Sequence, residues 1–370
     1  MKKRITLASP EMIGNERKYV EEAFDSNWIA PLGPFVNRFE DDIQKYLDGR
    51  NAVALSSGTA AIHLALKIAG VKRDDIVFCQ SLTFAASCNP VVYEGAIPVF
   101  IDSEKDTLNM DPEALRLAFK KYNAKAVIAV DLYGIIANYD EIEKICNENN
   151  AILISDATEA LGSEINGRKA GTFGEFAALS FNGNKIITTS GGGMLLTTTE
   201  EEKKKAIFYA TQAKEPEKFY QHEEIGYNYR LSNISAAIGV AQFEVLDKKL
   251  SKKRRIHERY VEGLKDVEGI NMFIEPSNQK SNYWLSTAFF DDPKSVVKVL
   301  EFLDNENIEA RHIWKPMHLQ PVYKNADYIK VGDKDISKEI FETGICLPSD
   351  TNMSDEDQDR VIDAIKRSLI

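Results

Sequence analysis

SFNGNKIITTSGGGM, Ser180 to Met194, sets one lysine, Lys185, between a short apolar run and three consecutive glycines. FAALSF (176–181) before it and GGMLLTT (192–198) after it both have the length and composition of strands. A lysine in a loop is ordinarily a solvated charge. This one follows a strand end and precedes Gly191, Gly192 and Gly193, where the missing Cβ atoms let another backbone approach closely.

The same kind of run recurs upstream: AVALSS (52–57), DIVFCQ (75–80), IPVFID (97–102), AKAVIAVDLYG (124–134) and AILISDA (151–157). Between them TAAIHLALKIAG (59–70), DPEALRLAFKKY (111–122) and NYDEIEKICNENN (138–150) carry apolar residues at helical spacing, with caps or acidic first turns. Strands alternating with helices predict an α/β fold, a mostly parallel sheet with helices on both faces. The stretch 230–266 then predicts one long helix from about Ser232, carrying the chain out of a large domain (1–247) into a smaller C-terminal α+β domain (248–370). Six of the eight residues Lys248 to Arg255 are basic. Without interleaved aromatics they read as a solvated helix face rather than a phosphate or nucleic-acid patch.

The 370 residues carry a formal charge of −11, which argues against broad binding of nucleic acid or anionic membrane, so an anionic ligand must be met by a local pocket. No window approaches 18 apolar residues, and MKKRITLASPEMIG has no apolar segment after its basic residues, so a cytoplasmic location is expected. The four cysteines form no CxxC pair and the five histidines never take ligand spacing, so buried free thiols and no metal site are expected.

In open α/β sheets ligands sit beyond the carboxyl ends of strands. After AVALS come Ser57, Gly58 and Thr59 at a helix start, which is either a plain N-cap or a phosphate cradle of backbone N–H groups at a positive helix end. After AILIS comes Asp156, with Glu159 three residues on. Asp156 can face a cationic ring nitrogen, and it can equally cap the next turn. After FAALSF comes Lys185. Asn184 precedes this lysine where a P-loop needs glycine, and the triple glycine leads into a strand rather than a helix. A phosphate cradle, a carboxylate for a ring nitrogen and a lysine amine at strand ends of one sheet match pyridoxal 5'-phosphate, whose aldehyde forms a Schiff base with lysine.

The chain resembles the sugar-nucleotide aminotransferases of the DegT/DnrJ/EryC1/StrS family, of aspartate aminotransferase fold (fold type I). The resemblance runs nearly end to end through SNWIAPLGPFVNRFE, SSGTAAIHLAL, LTFAAS, DLYG, SDATEALGS, TFGEFAALSFNGNKIITTSGGGM, GYNYRLSN and WKPMH. It implies that Lys185 carries the cofactor, Asp156 pairs with the pyridine nitrogen, and Glu159, where many members have Gln, lies near the phenolic oxygen. It places Phe84, otherwise a core residue, on the cofactor ring, and gives the phosphate to Gly58, Thr59 and Ser180 beside Ser57. Asn228, otherwise a turn residue, would reach the phosphate of a neighbouring subunit, which implies a homodimer with shared sites. Asn27, Trp28, Ile29 and Pro31 fall on the loop over the nucleotide sugar, so that residues 1–30 contribute to the substrate site. Arg230, Arg311, Trp314 and His318 fall on motifs that line the substrate pocket. His318 reads equally as a packed structural histidine.

Many members read T-x-G-E-G-G after the lysine, where this chain has Ser190-Gly191 in TTSGGGM. That form is most similar to UDP-4-amino-sugar transaminases of the bacillosamine pathway. These aminate carbon 4 of UDP-2-acetamido-2,6-dideoxy-4-hexulose with L-glutamate, through pyridoxamine phosphate. A GDP-perosamine-type or dTDP-sugar transaminase is the first alternative, and a non-catalytic cofactor-binding regulator the second. A related branch that deoxygenates sugars at carbon 3 carries histidine where this chain has Lys185.

Overall fold

The computed structural model describes residues 3–369, so residues 1, 2 and 370 of the expected first and last segments lie outside the described residues. The strands are β1 (Asn51–Leu55), β2 (Ile76–Gln80), β3 (Ile97–Ile101), β4 (Ala124–Val130), β5 (Ile152–Asp156), β6 (Glu164–Ile165), β7 (Arg168–Lys169), β8 (Phe176–Ser180), β9 (Gly193–Thr197), β10 (Ile270–Met272), β11 (Gln279–Lys280), β12 (Ser286–Phe290), β13 (Arg311–His312), β14 (Tyr328–Ile329) and β15 (Gly344–Leu347). Every strand-like run upstream of residue 198 is a strand.

The main sheet has the order β1-β9-β8-β5-β4-β2-β3-β14. Its neighbours pair in parallel except around β9, which is antiparallel to both β1 and β8. The carboxyl ends of β1, β8, β5, β4, β2 and β3 therefore share one edge, and β9 enters at that edge with Gly193 paired to Leu55 and Ser180. Side chains alternate across the sheet. Val53, Val77, Cys79 and Phe100 pack with the helix Gly58–Ile68 on one face, whereas Ala52, Phe78 and Val99 pack with the helices Pro112–Lys121 and Tyr139–Glu148 on the other.

A second sheet, β10-β12-β15-β13, is antiparallel throughout. It shares a core with the helices Leu246–Leu264, Pro293–Asn305 and Asp355–Leu369 through Tyr260, Ala288, Val299, Ile345 and Val361. The start of the described chain joins this part: Ile5 bridges Ile308, and the Thr6 hydroxyl donates to Asp350 at 2.6 Å. Conversely, β14 returns from the C-terminal part to the edge of the main sheet.

The expected single helix from Ser232 is two helices, Asn233–Phe243 and Leu246–Leu264. The first is apolar on nearly every side and packs against the helices Glu16–Asp25 and Pro34–Tyr46. At the break Glu244 accepts hydrogen bonds from Asn15, Tyr19 and Arg38. The second helix is amphipathic and turns toward the second sheet. Its basic stretch is not wholly a solvated face, because Lys249 and Lys253 are buried. Lys249 donates to the Glu11 carbonyl and Gln242, and Lys253 to the carbonyls of Trp284 and Ser349. All four cysteines are free and buried, and no helix of the described residues is long and apolar enough to cross a membrane.

Candidate active site

At the end of β1 the chain turns through Ser57 into the helix Gly58–Ile68. The Ser57 hydroxyl accepts from Ala60 N at 3.0 Å, so the N-cap expected of this serine is present. The turn is tightly enclosed: a Cβ on Gly58 would stand 2.9 Å from Thr158 Cγ2 and 3.2 Å from Ser180 Cβ. A Cβ on Gly193 would collide with the Ser57 carbonyl and the Gly58 nitrogen. The close approach anticipated for the triple glycine is thus made by Gly193, which lets β9 begin directly against the turn.

At the end of β5, Asp156 is buried, and each carboxylate oxygen has a partner. Oδ1 accepts from Thr158 N at 3.1 Å, the turn-capping role foreseen for it, and Oδ2 accepts from the Ser87 hydroxyl at 2.6 Å. Three residues on, Glu159 Oε2 accepts from Tyr133 N at 2.8 Å, while Oε1 accepts from Trp314 Nε1 at 3.3 Å and lies 3.7 Å from Lys185 Nζ. Burial pushes the Glu159 carboxyl up, opposed by the Lys185 charge and the Tyr133 N–H. Burial pushes the Lys185 amine down, opposed by Glu159 and Asp156.

The loop lysine is therefore not a solvated charge. Its Nζ stands 3.8 Å from the centroid of the Trp284 ring, a cation–π distance, and Trp284 Nε1 donates at 2.6 Å to the carbonyl of Asn184. These groups line one cavity of about 360 Å³, with Ser57, Gly58, Thr59, Ser180, Gly191 and Trp314 around the same space. Phe84, expected in a core without the resemblance, is 53% exposed at the cavity wall, its ring 5.1 Å from that of Trp314.

Other anticipated residues lie elsewhere in this chain. Arg230 is buried and ion-paired to Glu40 at 2.7 Å, with its Nη1 also on the Ala54 carbonyl, and does not reach the cavity. Its Nε, also buried, has no hydrogen-bond partner among the described residues. Arg311 is exposed on β13 and pairs with Glu309. His318 takes the packed reading: Nδ1 meets the Ser81 hydroxyl at 2.6 Å, Nε2 meets Asp335 at 3.0 Å, and the ring stacks on Tyr328. Trp28 and Ile29 are exposed on a loop outside the cavity lining, together with Asn27 and Pro31. Asn233 holds this loop through the carbonyls of Trp28 and Ala30. Asn228 is exposed, bridged by its backbone to Thr211.

Sequence reasoning missed Trp284, Ser87, Thr83 and Tyr133. Three of these stand inside the quoted motifs LTFAAS and DLYG, where the hydroxyls and the tyrosine carried a usable signal. Trp284 had none, because its position follows from how the second part of the chain packs.

The donor set fits pyridoxal phosphate. A helix N-terminus with three hydroxyls suits a phosphate, a fixed buried carboxylate suits a protonated ring nitrogen, and an enclosed amine suits an aldehyde. Gly58 and Gly193 let Thr158, Ser180 and the Ser57–Gly58 backbone close up where a Cβ would collide with them, which draws the helix N-terminus and its hydroxyls together at the cavity. Fold and site together define a fold type I pyridoxal-phosphate enzyme, and its cofactor is pyridoxal 5'-phosphate.

A family model described as the DegT/DnrJ/EryC1/StrS aminotransferase family matches residues 10–366, and the chain belongs to that family. It is 50% identical over 371 residues to EpsN of Bacillus subtilis (strain 168), covering 99% of this chain and 96% of the relative. It is 36% identical over 372 residues to the GDP-perosamine synthase of Caulobacter vibrioides, covering 99% of each. A crystal structure of a DegT DnrJ EryC1 StrS aminotransferase from Brucella abortus superposes with a TM-score of 0.89 at 28% identity, covering 95% of each chain. The chain is accordingly a pyridoxal-phosphate-dependent sugar aminotransferase, acting between an amino donor and a sugar nucleotide.

Proposed function

We propose that this enzyme moves the amino group of L-glutamate to carbon 4 of a UDP-linked 4-keto-6-deoxy sugar, UDP-2-acetamido-2,6-dideoxy-4-hexulose, with Lys185 as its catalytic residue. The observation that carries the catalytic reading is the convergence of Asp156 and Glu159, from the end of β5, with Lys185, from beyond β8, on one cavity. Pyridoxal phosphate, when bound, supplies an aldehyde that exchanges amines and a pyridine ring that draws electrons from the adjoining carbon.

Ser57, Gly58, Thr59 and Ser180 hold the phosphate group at the helix N-terminus. Asp156, fixed by Ser87 and the Thr158 amide, would pair with the ring nitrogen, and Phe84 at the cavity wall would pack on the ring. Lys185, as a free amine, would be the base at the cavity wall. Within each half Nζ would carry one proton between the substrate carbon and the bound group, from the glutamate α-carbon in the first half and to carbon 4 of the sugar in the second. One lysine thus serves the release of 2-oxoglutarate and the amination of the sugar.

Support for the UDP sugar comes from Ser190-Gly191 in place of Gly-Glu, with Gly191 at the cavity wall. The loop from Asn27 to Pro31, exposed outside the cavity lining, resembles the family's segment over the nucleotide sugar, and this supports a role for it in binding the sugar nucleotide. A second reading, a GDP-linked 4-keto-6-deoxy sugar, is favoured by the 36% identity to a GDP-perosamine synthase. The enzyme works as a cytoplasmic homodimer in which Asn228 completes the partner's phosphate site. Its exposed position beside the exposed Phe219, Tyr220 and Ile225 suits such a contact. The domains divide near residue 247, within the helix Leu246–Leu264 that leads to the second sheet.

The test mixes the protein, pyridoxal phosphate and L-glutamate with UDP-, GDP- or dTDP-linked 4-keto-6-deoxy sugars and follows the product mass. Amination of the UDP-N-acetyl sugar alone is expected. Product only from the GDP or dTDP sugar keeps the chemistry and replaces the substrate, and no product from any of them, with no glutamate-dependent change in cofactor absorbance, overturns the reading.

A further inference from the structure

Lys185 Nζ and Glu159 Oε1 face each other at 3.7 Å in the cavity, the lysine side chain 13% and the glutamate side chain 4% exposed. The two glutamate oxygens are not equivalent. Oε2 is taken by Tyr133 N at 2.8 Å, and the backbone of Tyr133 lies in the left-handed region, φ 53°, to deliver that N–H. Oε1 has the longer contact to Trp314 Nε1 at 3.3 Å and keeps lone-pair capacity toward the amine. A neutral amide here would satisfy Tyr133 N equally well, but would offer Lys185 no charge.

We propose that Glu159 is the acceptor of the Lys185 ammonium proton. An N–H bond breaks with its electron pair left on Nζ, an O–H bond forms at Oε1, and the ion pair becomes a neutral amine beside a neutral carboxylic acid. The amine is the form that attacks a carbonyl, and the acid is the form that returns the proton when the lysine is released. The purpose of the step rests on the reading of Lys185 as the cofactor-bearing lysine; its test does not.

The surroundings favour a proton that moves within the pair. Burial acts on both partners in that direction, pushing Lys185 down and Glu159 up, because both charged forms lose hydration. Asp156 is the other carboxylate acting on both groups. The Tyr133 phenol and Cys346 thiol also face Glu159, and burial pushes both up, so they stay neutral and supply no competing charge.

The experiment uses cofactor-stripped protein and reads Lys185 directly. Short pulses of formaldehyde with cyanoborohydride across a pH series, followed by peptide mass spectrometry, give the midpoint at which Lys185 becomes a free amine. In Glu159→Gln a neutral amide stands where the protonated acid would be. With the proton on Glu159, Lys185 meets a neutral group in both proteins, so the two midpoints should agree within about half a pH unit. A midpoint lower by about one pH unit or more in Glu159→Gln, with Lys185 labelling about tenfold faster below both midpoints, means that Glu159 stays a charged carboxylate and overturns the proposal.

A second reading does not depend on the folding of the glutamine variant. In Lys185→Met the cation is absent, and Glu159 should take its proton from solvent. A protonated-carboxyl infrared band that shifts on ¹³C-glutamate labelling should then appear at neutral pH, and its absence overturns the proposal. Failure of amino transfer itself would leave both results intact, which separates the two questions.

Discussion

Ser87 Oγ donates to Asp156 Oδ2 at 2.6 Å and meets the Thr83 hydroxyl at 2.7 Å, a chain of three buried polar groups beneath the cavity. With Thr158 N on Oδ1, both oxygens of the carboxylate are fixed while the group still lines the cavity. A hydrogen bond to a charged group is worth about 1.5–3 kcal/mol. Ser87→Ala should therefore weaken pyridoxal phosphate binding by roughly tenfold or more and lower kcat, with Ser87→Thr recovering part of both. Fluorescence titration of the stripped protein with cofactor reads the first effect, and an unchanged Kd would show that Asp156 does not depend on this donor.

The Arg230–Glu40 pair makes a different demand. Both side chains are nearly fully buried, and Glu40 Oε1 also accepts from Ala54 N at 2.7 Å, so the pair ties β1 to the helix Pro34–Tyr46 and to the segment bearing Asn228. Removing one partner leaves an uncompensated buried charge, which typically costs about 3–5 kcal/mol. Arg230→Ala and Glu40→Ala should each lower unfolding free energy by about that much. Denaturant melts check this. A wild-type melt for Arg230→Ala, combined with a raised KM for the sugar nucleotide, would return the arginine to the substrate.

These two relationships mark what the sequence makes legible and what it leaves hidden. Every main-sheet strand up to β9 was readable, because a buried parallel strand is a short apolar run bounded by turns. Lys185, Asp156, Gly58 and Thr59 were readable because ligands gather at strand ends. The Arg230 pairing was hidden: a motif records that an arginine is present, whereas only packing shows that Glu40, 190 positions away, pairs with it. Trp284 and Lys253 were invisible for the same reason, since their partners are backbone carbonyls that no residue pattern encodes. The break at Glu244 was missed because both halves have good helix formers, and only tertiary contacts to Asn15, Tyr19 and Arg38 fix the turn.

Lys253 gives the clearest dependence of stability on pH. Its amine is buried with two carbonyl acceptors, and burial pushes its pKa down to about 7 from the ordinary 10.5. Between those values the unfolded chain binds the proton and the folded chain does not, so unfolding free energy rises with pH across that window. The contribution is fully present above about 10.5 and is lost as pH falls toward 7. Lys253 should add up to about 1.4 kcal/mol per pH unit to this slope, and that part should be missing in Lys253→Met. Urea unfolding of both proteins at pH 7 and pH 9 measures it, and equal slopes would show that Lys253 stays charged in the fold.

Gly193 tests why the chain carries three glycines after its lysine. A Cβ on Gly191 would meet nothing within 4 Å, whereas one on Gly193 would enter the backbone at Ser57 and Gly58. Backbone on both sides cannot yield as a side-chain tip can, so either β9 starts late or the turn that opens the helix Gly58–Ile68 shifts. Overpacking of this kind costs about 1–3 kcal/mol. Here the displaced atoms are also those proposed to hold the phosphate. Gly193→Ala should lower the melting temperature and weaken pyridoxal phosphate binding more than tenfold, whereas Gly191→Ala should keep the wild-type melting temperature. Calorimetry and cofactor titration on both variants decide it: tight cofactor binding in Gly193→Ala would mean that the Ser57–Gly58 turn is not the phosphate cradle.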